Sequence, residues 1–214
     1  MQKITPTEYQ SLIKSCQVIE KDAYGEKVLL NPEGMYIKIF RRKRFLTSAL
    51  VYPYAQRFKR NAAKLHARKI PTVSVYKCAH CSAPARDLVW YKPVEGQTLR
   101  AYCSHQNLGS IMEDLGAFVA HLHKAGVLFR SLHWGNIIVQ PDSSFALIDI
   151  ADMRWSKRPL NSSQRQRNFR HFLRYKCDQE QFREHIRKFC AGYAATSGIA
   201  AQTCQEWGEQ AIRS

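Results

Sequence analysis

Asn136 and Asp149 stand thirteen residues apart, and an amide and a carboxylate are the oxygen ligands a hard ion such as Mg²⁺ takes while keeping several of its waters. Five residues before Asn136, in "FRSLHWGN", is Ser131, whose hydroxyl can orient a second hydroxyl but is a poor base. A third kind of group, the cation Lys38, lies in "MYIKIF". A lysine for phosphate oxygens and two ligands for the metal that neutralises them are the parts that phosphate chemistry needs. His133 and Asp152 flank the pair, and either could accept a proton. Each also has a plainer reading, His133 as a hydrogen-bonded scaffold of its loop and Asp152 as the cap of the following turn.

These residues must be held by elements of two kinds. In Met35–Phe40 strict alternation predicts a strand with Tyr36, Lys38 and Phe40 on one face, so Lys38 is a charge in an apolar setting or an edge-strand lysine in water. "CQVIEKDAYGEKVLL" predicts two strands around a turn at Tyr24-Gly25, and "TVSVYKC" and "DLVWYKPV" two more. Between them, Tyr54, Phe58, Ala62 and Leu65 recur at helical spacing and Pro71 closes the segment. After "VEGQTL", which reads as a connector, the period becomes helical: Ile111, Leu115, Phe118, Val119 and Leu122 form one apolar face, ending at Gly126. "NIIV" and "FALIDI" predict a hairpin around "QPDSS"; Phe169, Phe172, Leu173, Phe182, Ile186 and Phe189 predict further helices, and beyond Gly192 the pattern weakens.

With 214 residues, 45% of them hydrophobic, the chain can bury one core or one core divided by a cleft. Its net charge of +16 favours polyanionic partners. Seven cysteines, odd in number and irregularly spaced, fit a reducing cytoplasmic setting, and "MQKITPTEYQ" lacks the apolar core of a signal peptide. "CAGYAATSGIAA" is too short and broken to span a bilayer, so membrane contact would be peripheral. Cys78 and Cys81 form a single CxxC without a second pair, which reads as a turn between strands rather than a zinc site. The basic run 41–44 lacks aromatic platforms, so no nucleic acid is expected; a solvated loop or an anionic membrane surface suits it better.

Strand lysine, helix, connector, long helix, loop with Asn and hairpin with Asp follow the order of parts in the protein-kinase-like superfamily, and the two intervals match its catalytic-loop and metal-binding signatures. Within it, "YIKIF", "RFKRNAAKLHARKIPTV", "LHWGNIIV" and "LIDIADMR" resemble the bacterial lipopolysaccharide core (heptose/Kdo) kinases, InaA-like members included, over roughly Val28 to Trp155. The resemblance implies an α+β, two-lobed protein-kinase-like fold: one domain over 1–214, with an N-lobe 1–90 built on a small antiparallel sheet, a hinge-like connector 91–100 and a shortened, mainly helical C-lobe 101–214. It implies ATP and Mg²⁺ as cofactors, Lys38 and Asn61 on the nucleotide side, and Asn136 and Asp149 as metal ligands. The acceptor would be a heptose or Kdo hydroxyl of lipopolysaccharide core glycolipid, met by a cytoplasmic protein peripheral at the inner face of the membrane.

Three departures qualify that expectation. Ser131 stands where such sites carry a proton-accepting aspartate, Asn61 where the helix supplies a glutamate to the lysine, and Gly25 is the only glycine of the phosphate loop "DAYGEK". All three fit a catalytically silent, nucleotide-binding scaffold that docks on anionic glycolipid. "LHWGN" also resembles the loop of aminoglycoside and choline phosphotransferases, although those carry an aspartate at the Ser131 position.

Overall fold

The computed structural model describes residues 1–41, 53–104 and 107–213, which divide into two compact units: 1–67 with 72–93, and 68–71 with 94–213. The first is sheet-rich and the second mainly helical, as the α+β reading expects. Most of the basic run 41–44 lies outside the described residues.

The first unit is built on six strands: β1 (Gln2–Ile4), β2 (Gln17–Asp22), β3 (Gly25–Leu30), β4 (Tyr36–Arg41), β5 (Ser74–Cys81) and β6 (Arg86–Lys92), in the order β1-β5-β6-β4-β3-β2. All neighbours are antiparallel except β1 and β5. Helix α1 (Pro6–Ser15) had no counterpart in the sequence reading, though "TPTE" carries a start signal. Thr5 Oγ1 accepts from Glu8 N at 3.2 Å, Glu8 Oε2 accepts from Thr5 N at 2.6 Å, and Pro6 opens the first turn. Tyr9 of this helix joins Leu29, Ile37, Ile39, Ala79, Cys81, Leu88 and Trp90 in one apolar cluster. Helix α2 (Tyr54–His66) serves the opposite face, where Phe58 packs 6.1 Å from Phe40 and 5.5 Å from Tyr91, centroid to centroid.

The cysteine pair is corrected by this sheet. Cys78 and Cys81 lie within β5, opposite Val89 and Arg86, and three residues apart on a strand they face opposite sides. The turn follows them, and two sulfurs so placed cannot share a metal.

The second unit contains β7 (Gln97–Thr98), α3 (Leu99–Cys103), α4 (Met112–Lys124), β8 (Val127–Phe129), β9 (Ile137–Val139), β10 (Phe145–Leu147), β11 (Met153–Trp155), α5 (Ser162–Phe172), α6 (Lys176–Ser197) and α7 (Ala201–Arg213). The strands form two small sheets, β10-β9-β7 and β11-β8. Gly126, at φ +74°, closes α4 in the left-handed region, as its position in the sequence suggested. Phe169, Phe172, Phe182, Phe189, Tyr193 and Trp207, from α5, α6 and α7, stack with centroids 5.1 to 6.4 Å apart. The weakly patterned tail is therefore helix and core: Cys204, Trp207 and Ala211 are buried. Among the described residues no helix is long and apolar enough to cross a membrane.

Candidate functional site

Strand β4 lies between β3 and β6, so Lys38 is not on a sheet edge; it is half-buried, opposite Val28 and Val89, with its ammonium 5.9 Å from the Phe40 ring. Asn61 is buried on α2, three residues after Phe58 and four before Leu65, and so belongs to the helix face that covers the sheet face of Lys38 and Phe40. An amide there places a hydrogen-bonding group, but no negative charge, on the lysine's side of the sheet.

The loop between β8 and β9 is a series of tight turns. Leu132 N donates to Phe129 O (3.2 Å), His133 N to Ser131 O (2.9 Å) and Asn136 N to His133 O (2.8 Å). Asn136, only 7% exposed, donates its Nδ2 to Ser131 O at 2.9 Å, and the same nitrogen lies 3.2 Å from His133 Nε2. With both contacts made through nitrogen, the amide's orientation is set and Oδ1 is left as the group able to meet a cation. Ile148 N donates to Asn136 O at 3.0 Å, and Leu147 pairs with Ile137, so the β9–β10 hairpin brings Asp149 to the same end as Asn136. The strand stops at Leu147, before Asp149, whose φ of +51° is left-handed. Asp tolerates that conformation better than most residues.

His133 belongs to this scaffold. Burial first, then the nearby Arg100 and Arg174, hold its pKa below the usual histidine value against the opposing charges of Asp178 and Asp149. The ring is therefore neutral near pH 7, with Nε2 facing the Asn136 amide. Its edge meets the Tyr175 ring at 5.2 Å, and Arg100 covers that ring at 4.5 Å while binding Asp178 through Nε (2.9 Å) and Nη2 (2.8 Å). Asp152 does not cap the next turn. Its carboxylate accepts from Arg130 Nη1 at 3.2 Å and its carbonyl from Arg130 N at 3.1 Å. Ser131 is half-buried, and its hydroxyl has no hydrogen-bond partner among the described residues.

Sequence reasoning missed the layer beneath the loop. Asn168 Nδ2 donates to Phe129 O at 2.7 Å, and its Oδ1 lies 3.2 Å from His123 Nε2. His123 Nδ1 lies 2.8 Å from the Tyr193 hydroxyl, which Arg165 Nη1 also reaches at 2.8 Å. Buried polar residues on amphipathic helices carry no local signal, because only their partners across the fold distinguish them from surface positions. Burial and the Arg165 charge lower the His123 pKa from 6.5 to about 3. The unfolded chain thus takes up a proton below about pH 6.5 that the folded chain refuses until about pH 3. Stability from this group is complete above pH 6.5 and is expected to fall with acidification by up to about 1.4 kcal/mol per pH unit. Urea midpoints between pH 7.5 and 4.5 should show this slope, and His123→Gln should flatten it.

Three basic residues, Arg154, Lys157 and Arg158, follow Asp149 closely in sequence. Strand β11 runs antiparallel to β8, pairing Met153 with Phe129 and Trp155 with Val127, and Ser156 N donates to Gly126 O. Lys157 and Arg158 are thus carried toward the start of β8, whereas the loop leaves from its end.

The family model described as "Lipopolysaccharide kinase (Kdo/WaaP) family" matches residues 33–193, a span that includes Lys38, Asn61, Ser131, His133, Asn136, Asp149 and Asp152. No curated protein matches the chain.

Proposed function

Because the chain belongs to the lipopolysaccharide kinase (Kdo/WaaP) family, we propose that it transfers the terminal phosphoryl group of ATP to a heptose or Kdo hydroxyl of lipopolysaccharide inner core. The observation that supports this most is the Asn136 amide, turned by Ser131 O and His133 so that its oxygen is left for a cation, at the same hairpin end as Asp149. Two oxygen donors of this kind suit Mg²⁺, with further ligands from phosphate and water, and the described residues contain no cluster of three or more His, Cys, Asp or Glu that suggests another metal. Bound Mg²⁺ would neutralise charge on the phosphates. In this reading Lys38 grips phosphate oxygens and Ser131 holds the acceptor hydroxyl in line.

Phosphoryl transfer passes through a loose transition state and depends mainly on positioning and charge, so a site without the usual aspartate can still work. Ser131→Ala is expected to slow transfer about tenfold, the equivalent of one hydrogen bond of roughly 1–1.5 kcal/mol. Ser131→Asp should preserve or raise the rate. Both are measured as phosphate transfer to dephosphorylated core glycolipid, after thermal-shift titration with ATP and Mg²⁺.

A second reading, a silent nucleotide-binding scaffold, is favoured by one observation: the two candidate bases near Ser131 are engaged, His133 beside Asn136 and Asp152 with Arg130. A thermal shift with Mg²⁺-ATP, together with no transfer by the wild type or by Ser131→Asp, would establish it over the enzyme. In either reading the +16 charge supports peripheral association with an anionic membrane surface, which we propose is the inner face of the cytoplasmic membrane. Binding to anionic vesicles should then weaken steeply between 50 and 500 mM salt, about the range over which screening shortens from beyond 10 Å to a few ångströms. Salt-independent binding would point to apolar insertion instead.

A further inference from the structure

The residue before Ser131 opens onto a cluster of positive charge that the proposed transfer does not use. Arg167 and His171 are four residues apart on α5, hence on one face, and Arg174 follows three residues later, just past the helix end. Asn168, beside Arg167, binds Phe129 O at 2.7 Å and so docks α5 against the start of the loop that carries Arg130. His171 lies within the fields of all three guanidiniums. Burial first, then Arg174, Arg167 and Arg130, drive its pKa to about 4, with Asp152 the group acting the other way. Two nitrogens here, Arg130 Nε and His171 Nε2, are shut off from solvent without a partner among the described residues. Arg167 and Arg174 are exposed and pair with no carboxylate among the described residues.

We infer that Arg130, Arg167, His171 and Arg174 form a subsite for a phosphate monoester already present on the acceptor, near the hydroxyl that Ser131 orients. With His171 neutral, three guanidiniums and the Asp152 carboxylate leave an excess of two positive charges, which matches a phosphate dianion better than a single carboxylate. Guanidinium forks and an imidazole N–H suit its oxygens, and mutual repulsion within the cluster is relieved when the dianion binds.

This inference rests on the kinase reading for its substrate, but its test has a readout that does not. In histidine-labelled protein, inorganic phosphate should raise the His171 pKa from about 4 by one unit or more, saturably. Arg167→Ala/Arg174→Ala, at exposed positions, should abolish that shift, and Arg213→Ala should leave it unchanged. In the transfer assay the wild type should favour a phosphorylated core glycolipid over its phosphatase-treated counterpart. The double variant should lose that preference by about tenfold or more, the scale of a charge-assisted hydrogen bond, and the Lys/Lys variant should recover part of it. An unshifted His171, or an unchanged preference in the double variant, overturns the subsite. If the wild type transfers to neither glycolipid, the kinase reading falls and the phosphate titration alone decides the subsite.

Discussion

Asp149→Asn is expected to lower phosphoryl transfer by about a thousandfold or more, with the thermal midpoint shifted by only a few degrees. The rate effect follows from charge: a metal's stabilisation of a phosphoryl transition state is worth several kcal/mol, and each 1.4 kcal/mol is about tenfold in rate. The small stability effect follows from the backbone. Asp149 has φ +51°, a conformation that Asn accepts readily, whereas Ala there would add strain of about 1–2 kcal/mol and mix the two effects. Thermal-shift titration should show that the variant has lost the Mg²⁺-dependent part of nucleotide binding. Full activity in Asp149→Asn would remove Asp149 from the metal site, and the argument from the β9–β10 hairpin with it.

The largest expected loss of stability comes from a change of one methyl group, Gly192→Ala. A Cβ at Gly192 would lie 1.9 Å from Glu113 O and 2.7 Å from Glu113 C, and reciprocally one at Gly116 would lie 2.0 Å from Phe189 O. Helices α4 and α6 thus meet backbone to backbone, each through a glycine. Alanine normally favours a helix over glycine by about 1 kcal/mol. Here the obstacle is a carbonyl of another helix, which cannot rotate aside, so the helices must separate and the aromatic stack above them must loosen. Overpacking of this kind costs about 3 kcal/mol or more, and a chain of this size should melt roughly 6–12 °C lower. The same helix carries Asp178, which holds Arg100 beside Tyr175 and His133, so order in the loop should decline with it. A rise in melting temperature, the result that helix propensity alone predicts, would contradict the packing.

Along the chain, local periodicity was enough for much of this molecule. Alternation in Tyr36–Phe40 placed Lys38 on one face of a strand, the apolar face of Ile111–Leu122 defined α4, and Gly126 marked its end. The intervals from Ser131 to Asn136 and from Asn136 to Asp149 identified the loop and hairpin, because a short loop and a tight hairpin tie spacing in sequence to proximity in space. The capping box at Thr5 and Glu8 was equally local and shows that α1 was legible too.

What tertiary structure decided was set by contacts between distant residues. Whether β4 is central or at an edge depends on strand order, which no single strand's pattern contains. The tail beyond Gly192 looked weakly patterned because Cys204, Trp207, Gly208 and Ala211, the buried residues of its helix, include only one large apolar side chain, and the purpose of Gly192 itself appears only against Glu113 of the opposing helix. Asp152 could be read as a cap or a base until Arg130, twenty-two residues earlier, was found to hold it. The Arg100–Asp178 pair spans seventy-eight residues, and the guanidiniums around His171 come from a loop and a helix far apart in sequence. The residue types able to do chemistry were written in the sequence; which of them are engaged, buried or left to meet a ligand depends on long-range packing, where the electrostatic and steric environment of each group is made.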